Sequence, residues 1–354
     1  MDILRLAGVP GVGKSTIGWM VARRLAEAGE RCGYIDIDQL GMCYPAPAED
    51  PDRWILKESA LARVAKQFRL AGAERLIVSG VADPAAAPPH AGHPTTSFWL
   101  DAAPATRRAR LAPRGWPDAQ VERILAVGDR ESAVAHRSWS RLATDGLTAE
   151  QTADAVLQQW SPMGDGEAAV VDPPEGPPAA ARKRVIWITG PRCAGASRVG
   201  WEIASAQWRA KRRTGFVDVA QLAFAWNTPH DVGLRNTVEL QRAFADVGAG
   251  MLVAVAPFRY EPEQVIAAFP GAEVSFVRLD ADDDALRERA EMRADGSGEV
   301  MLAGDDLAGA SQDAVAAVID EAVRQRRVPV RAGERIVDTT DISASAAAER
   351  VLGI

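Results

Sequence analysis

The sequence predicts an α/β fold made of two tandem domains, each a parallel sheet of about five strands flanked by helices. Three observations lead to this fold class. Short apolar runs alternate with segments of helical spacing, which is typical of a parallel sheet covered on both faces. A glycine-rich loop separates the first such run from the first helical segment. A stretch of the same design recurs 182 positions further on, where Gly190 aligns with Gly8.

The loop near the start of the chain reads Gly8-Val9-Pro10-Gly11-Val12-Gly13-Lys14-Ser15-Thr16. A predicted strand (3–7) precedes it and a predicted helix follows, which is the context that a phosphate-binding Walker A loop requires. Its glycines let successive N–H groups turn toward phosphate oxygens, and the helix N-terminus adds a positive dipole. Lys14 is expected to reach the β- and γ-phosphates, and the Ser15 hydroxyl to ligate Mg²⁺. The predicted nucleotide-binding residues are Gly8, Gly11, Val12, Gly13, Lys14, Ser15 and Thr16.

The remaining elements of the first half follow in a regular order. Further strands are predicted at 32–36, 75–79, 97–100 and 139–143, and helices at 14–28, 53–71, 105–112, 118–135 and 148–160. Pro45, Pro47 and Pro51 mark a loop after the second strand. Alternating strands and helices of this kind predict a parallel sheet.

The second half repeats the first without a gap over the opening segment. At the offset of 182 the pairs are Gly13 with Gly195, Ser15 with Ser197, Trp19 with Trp201, Asp36 with Asp218, and Leu40 with Leu222. The paired tryptophans argue against a chance match, because Trp is a rare residue. We predict a first domain over 1–162, a Pro-, Ala- and Gly-rich linker over 163–183, and a degenerate copy over 184–354.

Three features of the first half occur in a set order: the loop Gly8–Thr16, the pair Asp36-x-Asp38 that ends the second strand, and Arg110-x-x-x-Arg114 after the fourth. In this layout residues 1–160 resemble the P-loop small-molecule kinases, which include nucleoside monophosphate, gluconate, shikimate and adenylylsulfate kinases. The second half has the same layout with departures. The resemblance implies ATP- and Mg²⁺-dependent phosphotransfer to a small-molecule acceptor by the first domain.

Each candidate residue has a chemical role in such a reaction. Asp36 leaves its strand beside the phosphate loop, so it is predicted to hold Mg²⁺ together with Ser15, either directly or through a water molecule. Asp38 is predicted to orient the acceptor hydroxyl or take its proton. The resemblance implies that Arg110 and Arg114 belong to a lid over the phosphates, where a guanidinium matches phosphate oxygens. The predicted catalytic residues are Lys14, Asp38, Arg110 and Arg114.

Other candidates have a plainer interpretation. Arg107 is predicted to lie on the surface. Lys57 and Glu58 either touch the substrate or form a helix surface, and the helix surface is favoured. His90 and His93 are interpreted as a loop pair and not as metal ligands, because no Cys or third His accompanies them. Trp116 is a candidate for stacking on a ligand.

The second half lacks parts of this chemistry. Its loop has Ala196 at the lysine position, and Ala220 replaces the second aspartate, although Asp218 remains. Arg192 or Arg198 could partly substitute for the lysine, but neither sits at its position, and the favoured interpretation of Arg198 is an exposed helix residue. The second domain is therefore predicted to be a degenerate structural or regulatory copy. It could pack on its partner, close over the acceptor site, bind an effector or mediate dimerisation.

Composition limits the partners. The chain has 354 residues, a net charge of -7 and an apolar fraction of 47%, which favours sizeable cores and argues against a broad nucleic-acid or membrane surface. Its three cysteines show no CxxC spacing, and no segment fits a secretory signal or a membrane span. These features predict a cytoplasmic protein whose partners are ATP and a small molecule. Packing of the two domains is expected, and a homodimer stays open.

Two other functional classes stay open. One is a nucleotide-binding regulatory ATPase, and the other is an interaction scaffold of two paired halves. The strand at 75–79 ends in Ser79-Gly80 and not in an acid, which disfavours a motor ATPase of the AAA+ kind. No Asn-Lys-x-Asp motif occurs, which disfavours a guanine-specific switch protein, but the sequence does not otherwise distinguish ATP from GTP.

Overall fold

The computed structural model describes residues 1–160, 183–296 and 306–353. Contacts between Cα atoms divide the chain into two compact units. The first comprises Met1–Gly41, Arg53–Glu175 and Phe224–Val232, and the second comprises Met42–Asp52, Gly176–Ala223 and Gly233–Ile354. Each unit thus contains one short segment whose chain neighbours belong to the other unit. The predicted linker, 163–183, lies outside the described residues except for its last residue, and the predicted domain limits stay a prediction.

The described residues form twelve strands and twelve α-helices. The strands are β1 (Asp2–Gly8), β2 (Cys32–Asp36), β3 (Cys43–Tyr44), β4 (Arg75–Ser79), β5 (Thr95–Asp101), β6 (Ser140–Ala143), β7 (Arg184–Thr189), β8 (Thr214–Asp218), β9 (Ala225–Trp226), β10 (Met251–Val255), β11 (Glu273–Asp280) and β12 (Glu334–Asp338). The helices are α1 (Lys14–Glu27), α2 (Ile37–Leu40), α3 (Trp54–Leu70), α4 (Pro104–Leu111), α5 (Asp118–Val134), α6 (Ala149–Gln159), α7 (Ala196–Arg209), α8 (Gly233–Asp246), α9 (Pro262–Ala268), α10 (Asp283–Ala294), α11 (Gln312–Arg326) and α12 (Ala344–Leu352).

Each unit is built on one six-stranded sheet, and the two sheets have corresponding strand orders. The order is β6-β5-β1-β4-β2-β9 in the first unit and β12-β11-β7-β10-β8-β3 in the second. Five strands of each sheet are parallel, and the sixth, β9 or β3, pairs antiparallel with its neighbour. The predicted α/β class is confirmed, whereas the sheets are mixed and have six strands instead of about five.

The core lies where the parallel strands are covered on both sides. All seven residues of β1 are buried, as expected for a central strand of a parallel sheet. Helix α1 buries Ile17, Val21 and Leu25, which repeat every fourth residue and therefore share one face. In the second unit Val199, Ile203 and Ala204 of α7 pack in the same way into a cluster with β7, β10 and β11. These helices hold the loop that precedes each of them against its sheet.

Among the helices that the structure describes, none is both long and apolar enough to cross a membrane.

Candidate active site

The phosphate loop joins β1 to α1 in the first unit. Its backbone has a positive φ at Gly8, Gly11 and Gly13. Gly8 has φ +142°, and a Cβ there would overlap the carbonyl oxygen of Leu100 on β5. Gly13 has φ +90° and is the N-cap of α1, with no side chain to bond the first helical N–H groups. The loop therefore presents unpartnered helix N–H groups and a dipole end, which is the arrangement that binds a phosphate anion.

Lys14 begins α1 and folds back over its own loop. Its ammonium donates hydrogen bonds to the carbonyl oxygens of Gly8 at 2.9 Å and Val9 at 3.1 Å. Burial lowers the pKa of Lys14, and the negative charges of Asp38 and Asp36 act in the opposite direction. An ammonium held only by neutral carbonyls is available to an anionic ligand at the loop.

Ser15 and Asp36 meet beside the loop. The Ser15 hydroxyl donates to Oδ2 of Asp36 at 2.8 Å, and Oδ1 of Asp36 accepts from the backbone N–H of Asp38 at 3.0 Å. Burial, followed by repulsion from Asp38, raises the pKa of Asp36 to about 6. A hydroxyl and a carboxylate are the hard oxygen donors that Mg²⁺ prefers, so this pair fits the predicted metal ligands.

Asp38 is bonded to Lys57, a residue that the sequence pattern assigned to the surface of a helix. Lys57 of α3 is buried, and its ammonium donates to Oδ1 of Asp38 at 3.1 Å. Its side chain is 5% exposed, whereas that of Asp38 is 49% exposed. The ring of Trp54 lies 4.7 Å from the ammonium. A Cβ at position 41 would come within 2.6 Å of Cε of Lys57, so Gly41 leaves room for the lysine stem.

A cavity of about 470 Å³ opens beside the phosphate loop. Arg110 and Arg114 line it together with Gly11, Val12, Gly13, Lys14, Ser15 and Thr16. Arg110 is anchored to protein atoms, because its guanidinium donates to Val12 O at 3.2 Å, to the Thr144 hydroxyl at 2.8 Å and to Thr144 O at 2.8 Å. Arg114 is exposed, and its guanidinium lies 4.7 Å from the ring centre of Trp116. Of the two arginines, Arg114 is the one placed to turn toward a ligand.

Arg107 is not on the surface, and that prediction was wrong. Its side chain is buried beneath the phosphate loop, where its Cβ lies 3.2 Å from the position that a Cβ on Gly11 would take. The guanidinium donates to Ala102 O at 3.0 Å, to Leu125 O at 3.3 Å and to the carboxylate of Asp129. Arg107 therefore ties α4 to α5.

Tyr34 is a site residue that sequence reasoning missed. It lies on β2, its hydroxyl shares a hydrogen bond with Ser79 Oγ at 2.8 Å, and it reaches Ser15 O at 3.4 Å. A tyrosine in a buried strand gives no local sign of a polar role, so only the tertiary structure reveals this contact. The contact links β2, β4 and the helix that carries Ser15.

His90 and His93 lie in the loop before β5, and no group of three or more His, Cys, Asp or Glu suited to a metal occurs in the parts of the chain that the structure covers. Burial lowers the pKa of His93 to about 4.

The second unit keeps part of this geometry. Ser197 donates to Oδ2 of Asp218 at 3.2 Å, and burial raises the pKa of Asp218. The N–H of Arg192, a loop donor, is bonded to Oε1 of Gln325 on α11 at 3.0 Å, and the Arg192 guanidinium pairs with Asp306. Arg198 is exposed on α7. One backbone N–H of the second loop is thus bonded to a side chain of the same unit.

The strand, glycine loop and helix at the start of the first unit have the layout of a P-loop domain. Residues 5–134 match a family model described as an AAA domain, which confirms the P-loop resemblance over that segment. No curated protein matches the chain significantly.

Three solved structures resemble the chain over about half its length. A sugar kinase from Janibacter sp. is 13% identical and covers 48% of this chain and 93% of its own, with a TM-score of 0.33. A gluconokinase from Sinorhizobium meliloti is 16% identical and covers 49% and 91%, with a TM-score of 0.30. The Deinococcus radiodurans tunicamycin resistance protein is 16% identical and covers 49% and 95%, with a TM-score of 0.31. Likenesses of this size do not bear on the activity of this chain.

Proposed function

We propose that the first unit is an ATP- and Mg²⁺-dependent phosphotransferase that acts on a small-molecule acceptor, and that the second is a degenerate copy with a structural or regulatory role. The observation that carries the proposal is that two carboxylates at the end of β2 are bonded to different groups. Asp36 is bonded to Ser15 of the phosphate loop, and Asp38 is bonded to the buried Lys57. One carboxylate thus serves the phosphate side and the other the acceptor side.

The phosphate side has the charges that a nucleotide needs. Lys14, Arg114 and the N–H groups of the loop face one cavity, and they would bind the β- and γ-phosphates. Ser15 and Asp36 would hold Mg²⁺, which neutralises charge on the phosphates when it is bound. Arg110 is bonded to Val12 O and Thr144, so it would fix the shape of the cavity and would touch phosphate less than the resemblance implies.

The acceptor side depends on Asp38. Half of its side chain is exposed while one oxygen is fixed by Lys57, so the carboxylate is held in one orientation and still open to a ligand. A carboxylate in that state can accept a hydrogen bond from an acceptor hydroxyl and take its proton as the phosphoryl group is transferred. Positioning of this kind, together with electrostatic stabilisation of the phosphates, provides most of the rate enhancement in phosphoryl transfer.

The second unit provides an internal comparison. Phe68 packs over Gly33 in the first unit as Phe244 packs over Gly215 in the second, which aligns α3 with α8 at an offset of 176. Lys57 then aligns with Gly233, whose missing side chain faces Ala223, the counterpart of Gly41.

The ammonium and the carboxylate are therefore absent together from the second unit, along with the loop lysine, while Asp218 and Ser197 are kept. Joint absence supports a shared role for Lys57 and Asp38 on the acceptor side. The matching strand orders support the interpretation that the two halves are tandem copies.

A nucleotide-binding regulatory ATPase is the second candidate. It is favoured by the end of β4, where the strand's last residue, Ser79, and the following Gly80 are both non-acidic. The two candidates differ in whether Asp38 matters to the reaction.

The test is a thermal-shift measurement with ATP and Mg²⁺, followed by a panel of hydroxyl-bearing small molecules with mass detection of the phosphorylated product. We expect stabilisation by ATP with Mg²⁺ and one class of acceptor that Asp38→Asn phosphorylates far more slowly than the wild type does. Stabilisation with ATP hydrolysis but no product from any acceptor would favour the ATPase. No stabilisation by ATP or GTP would overturn both.

A further inference from the structure

A short segment of the second half of the chain belongs to the first unit. Residues 224–232 follow the strand and 3-10 turn of the second unit, yet Ala225–Trp226 forms β9 against β2. The N–H of Tyr34 donates to Phe224 O at 2.9 Å, which extends this pairing by one residue. Without the segment, β2 would be the edge of the first sheet and its backbone groups would lack partners on that side.

The side chains of the segment pack on the elements that carry the site. Trp19 of α1 lies edge-on to Phe224 at 4.7 Å and to Trp226 at 5.4 Å between ring centres. Tyr34 of β2 contacts the same group at 6.1 Å from Phe224. The Asn227 amide donates to Ala26 O and Glu30 O, both at 2.9 Å, and so caps the C-terminal end of α1.

The same relationship exists in the opposite direction. Residues 42–52 belong to the second unit, where Cys43–Tyr44 forms β3 against β8 and Phe216 N donates to Met42 O at 2.8 Å. The ring of Tyr44 lies 4.9 Å from that of Trp208. At the offset of 182, Met42 aligns with Phe224 and Tyr44 with Trp226. Equivalent residues of the two halves thus occupy equivalent places, each in the unit built mainly from the other half.

Two side chains of α1 and β2, Trp19 and Tyr34, lie between the segment and the phosphate site. Tyr34 bonds Ser79 and reaches Ser15 O, and Trp19 lies one helical turn after Ser15 on α1. β2 carries Asp36 at its end, and α1 carries Lys14 and Ser15 at its start. The aromatic group of Trp19, Tyr34, Phe224 and Trp226 therefore joins the two elements that hold the predicted phosphate and metal ligands.

We propose that the two halves exchange these segments reciprocally, and that residues 224–227 are a positioning element for the phosphate site of the first unit. The half that lacks the loop lysine thereby contributes to the site of the half that has it. The exchange stands on the strand pairing, and the positioning role rests on nucleotide binding as proposed above. A strand that merely covered the sheet edge would affect stability and leave the ligand affinity of the folded protein unchanged.

The experiment compares two aligned substitutions in the full chain, Trp226→Ala and Tyr44→Ala. Hydrogen exchange is followed at the amides of Tyr34 and Phe216, and the Kd of ATP with Mg²⁺ is measured well below the unfolding temperature. We expect Trp226→Ala to speed exchange at Tyr34 about tenfold, to spare Phe216, and to weaken ATP binding roughly three- to tenfold. Tyr44→Ala should speed amide hydrogen exchange at Phe216, and its Kd for ATP with Mg²⁺ should equal that of the wild type. Trp226→Phe, which keeps an apolar ring, should restore most of the affinity.

Each result bears on a separate part of the proposal. If Trp226→Ala speeds amide hydrogen exchange at Phe216 and not at Tyr34, the proposal that the two halves swap segments is wrong. If it speeds exchange at Tyr34 but leaves the Kd unchanged, the positioning role is wrong and the segment only covers an edge. If the wild type binds neither ATP nor GTP, both the proposed function and the positioning role are wrong. The amide hydrogen-exchange rates still test whether the two halves swap segments. Asn227→Gly removes the two hydrogen bonds of an exposed residue whose φ of +57° glycine adopts without strain, so it serves if Trp226→Ala does not fold, with the same expected outcomes.

Discussion

The ammonium of Lys57 and the carboxylate of Asp38 lie 3.1 Å apart, one buried and the other half exposed. A buried lysine that spends a hydrogen bond on an exposed carboxylate restricts that carboxylate to one orientation. Neither group has a charged counterpart in the second unit, where Gly233 and Ala220 stand. The pair is therefore best tested as a pair.

Asp38→Asn should lower phosphoryl transfer by roughly 10²–10⁴-fold, because the acceptor hydroxyl loses its base, while ATP binding stays nearly intact. Lys57→Met should also slow transfer. The double variant should be no slower than Asp38→Asn alone, because Lys57 acts through Asp38. The measurement is the transfer rate with the acceptor found in the panel. Arg69→Met, an exposed charge on the same helix, is the control. Losses that simply multiply in the double variant would show that the two residues act independently.

Lys14→Ala should weaken ATP binding and abolish ATP-dependent transfer. A hydrogen bond to a charged group contributes about 1.5–3 kcal/mol, which corresponds to roughly a tenfold to hundredfold rise in Kd. Calorimetry with ATP and Mg²⁺ measures the change, and Arg23→Ala, an exposed residue on the same helix, should leave the Kd as it is. Undiminished turnover in Lys14→Ala would rule out the phosphate loop as the nucleotide site.

Asp36 should titrate near pH 6 in the nucleotide-free protein, because burial and the charge of Asp38 both raise its pKa. Carbon NMR of the carboxyl measures the midpoint. Since the second cause is a like charge, Asp38→Asn should move the midpoint downward. Mg²⁺ binds the ionised form, so its affinity should fall about tenfold between pH 7 and pH 5. An Mg²⁺ affinity that is the same at both pH values would exclude Asp36 as a metal ligand.

Arg107→Leu should destabilise the first unit by about 1–3 kcal/mol, because Ala102 O and Leu125 O lose a donor in a buried place. The aligned residue of the second unit, 179 positions on, is Leu286, which is fully buried, so a leucine is compatible with this helix position. Urea unfolding measures the loss, and Arg108→Leu, which removes only an exposed ion pair with Glu122, should lower the midpoint much less than Arg107→Leu does. A more stable Arg107→Leu protein would mean that the buried guanidinium is retained for another reason.

Adding Ala196→Lys to Lys14→Ala should not restore nucleotide binding. The second loop would regain an ammonium, but the N–H of Arg192 stays bonded to Gln325, and Ala220 still lacks a carboxylate. Binding stoichiometry by calorimetry checks this expectation. Recovery of one ATP per chain in the double variant would contradict the assignment of the second unit as degenerate.

The local pattern predicted the main elements of the first unit closely. The strands at 32–36 and 75–79 are those of the structure, and the predicted helix at 118–135 differs from α5 by one residue. Long periodic segments are determined by their own sequence, which is why these predictions hold. The acidic run over 280–284 has a local explanation as well, since β11 ends at Asp280 and the Asp282 side chain caps α10.

The errors fall where tertiary contacts decide. Arg107 and Lys57 carry charges that the helical pattern assigns to a surface, and each is buried only because a carboxylate or carbonyl meets it inside the fold. The strands β3 and β9 have two residues each, too few to show a period, and they pair with residues distant in the chain. The roles given to Lys14, Ser15, Asp36, Asp38, Arg110 and Arg114 stay predictions for the experiments above.

The segment exchange has a consequence for any attempt to divide the chain. A cut between residues 160 and 183 gives one fragment that carries 42–52 but lacks 224–232, and a second that carries 224–232 but lacks 42–52. The first fragment would expose the edge of β2 and carry β3 without its partner strand. The second would expose the edge of β8 and carry β9 without its partner strand. Mixed in solution, the two fragments should reassemble with each other, since each holds the piece that the other is missing. The half that lacks the loop lysine thereby completes the sheet of the half that has it, and neither half is a self-sufficient folding unit.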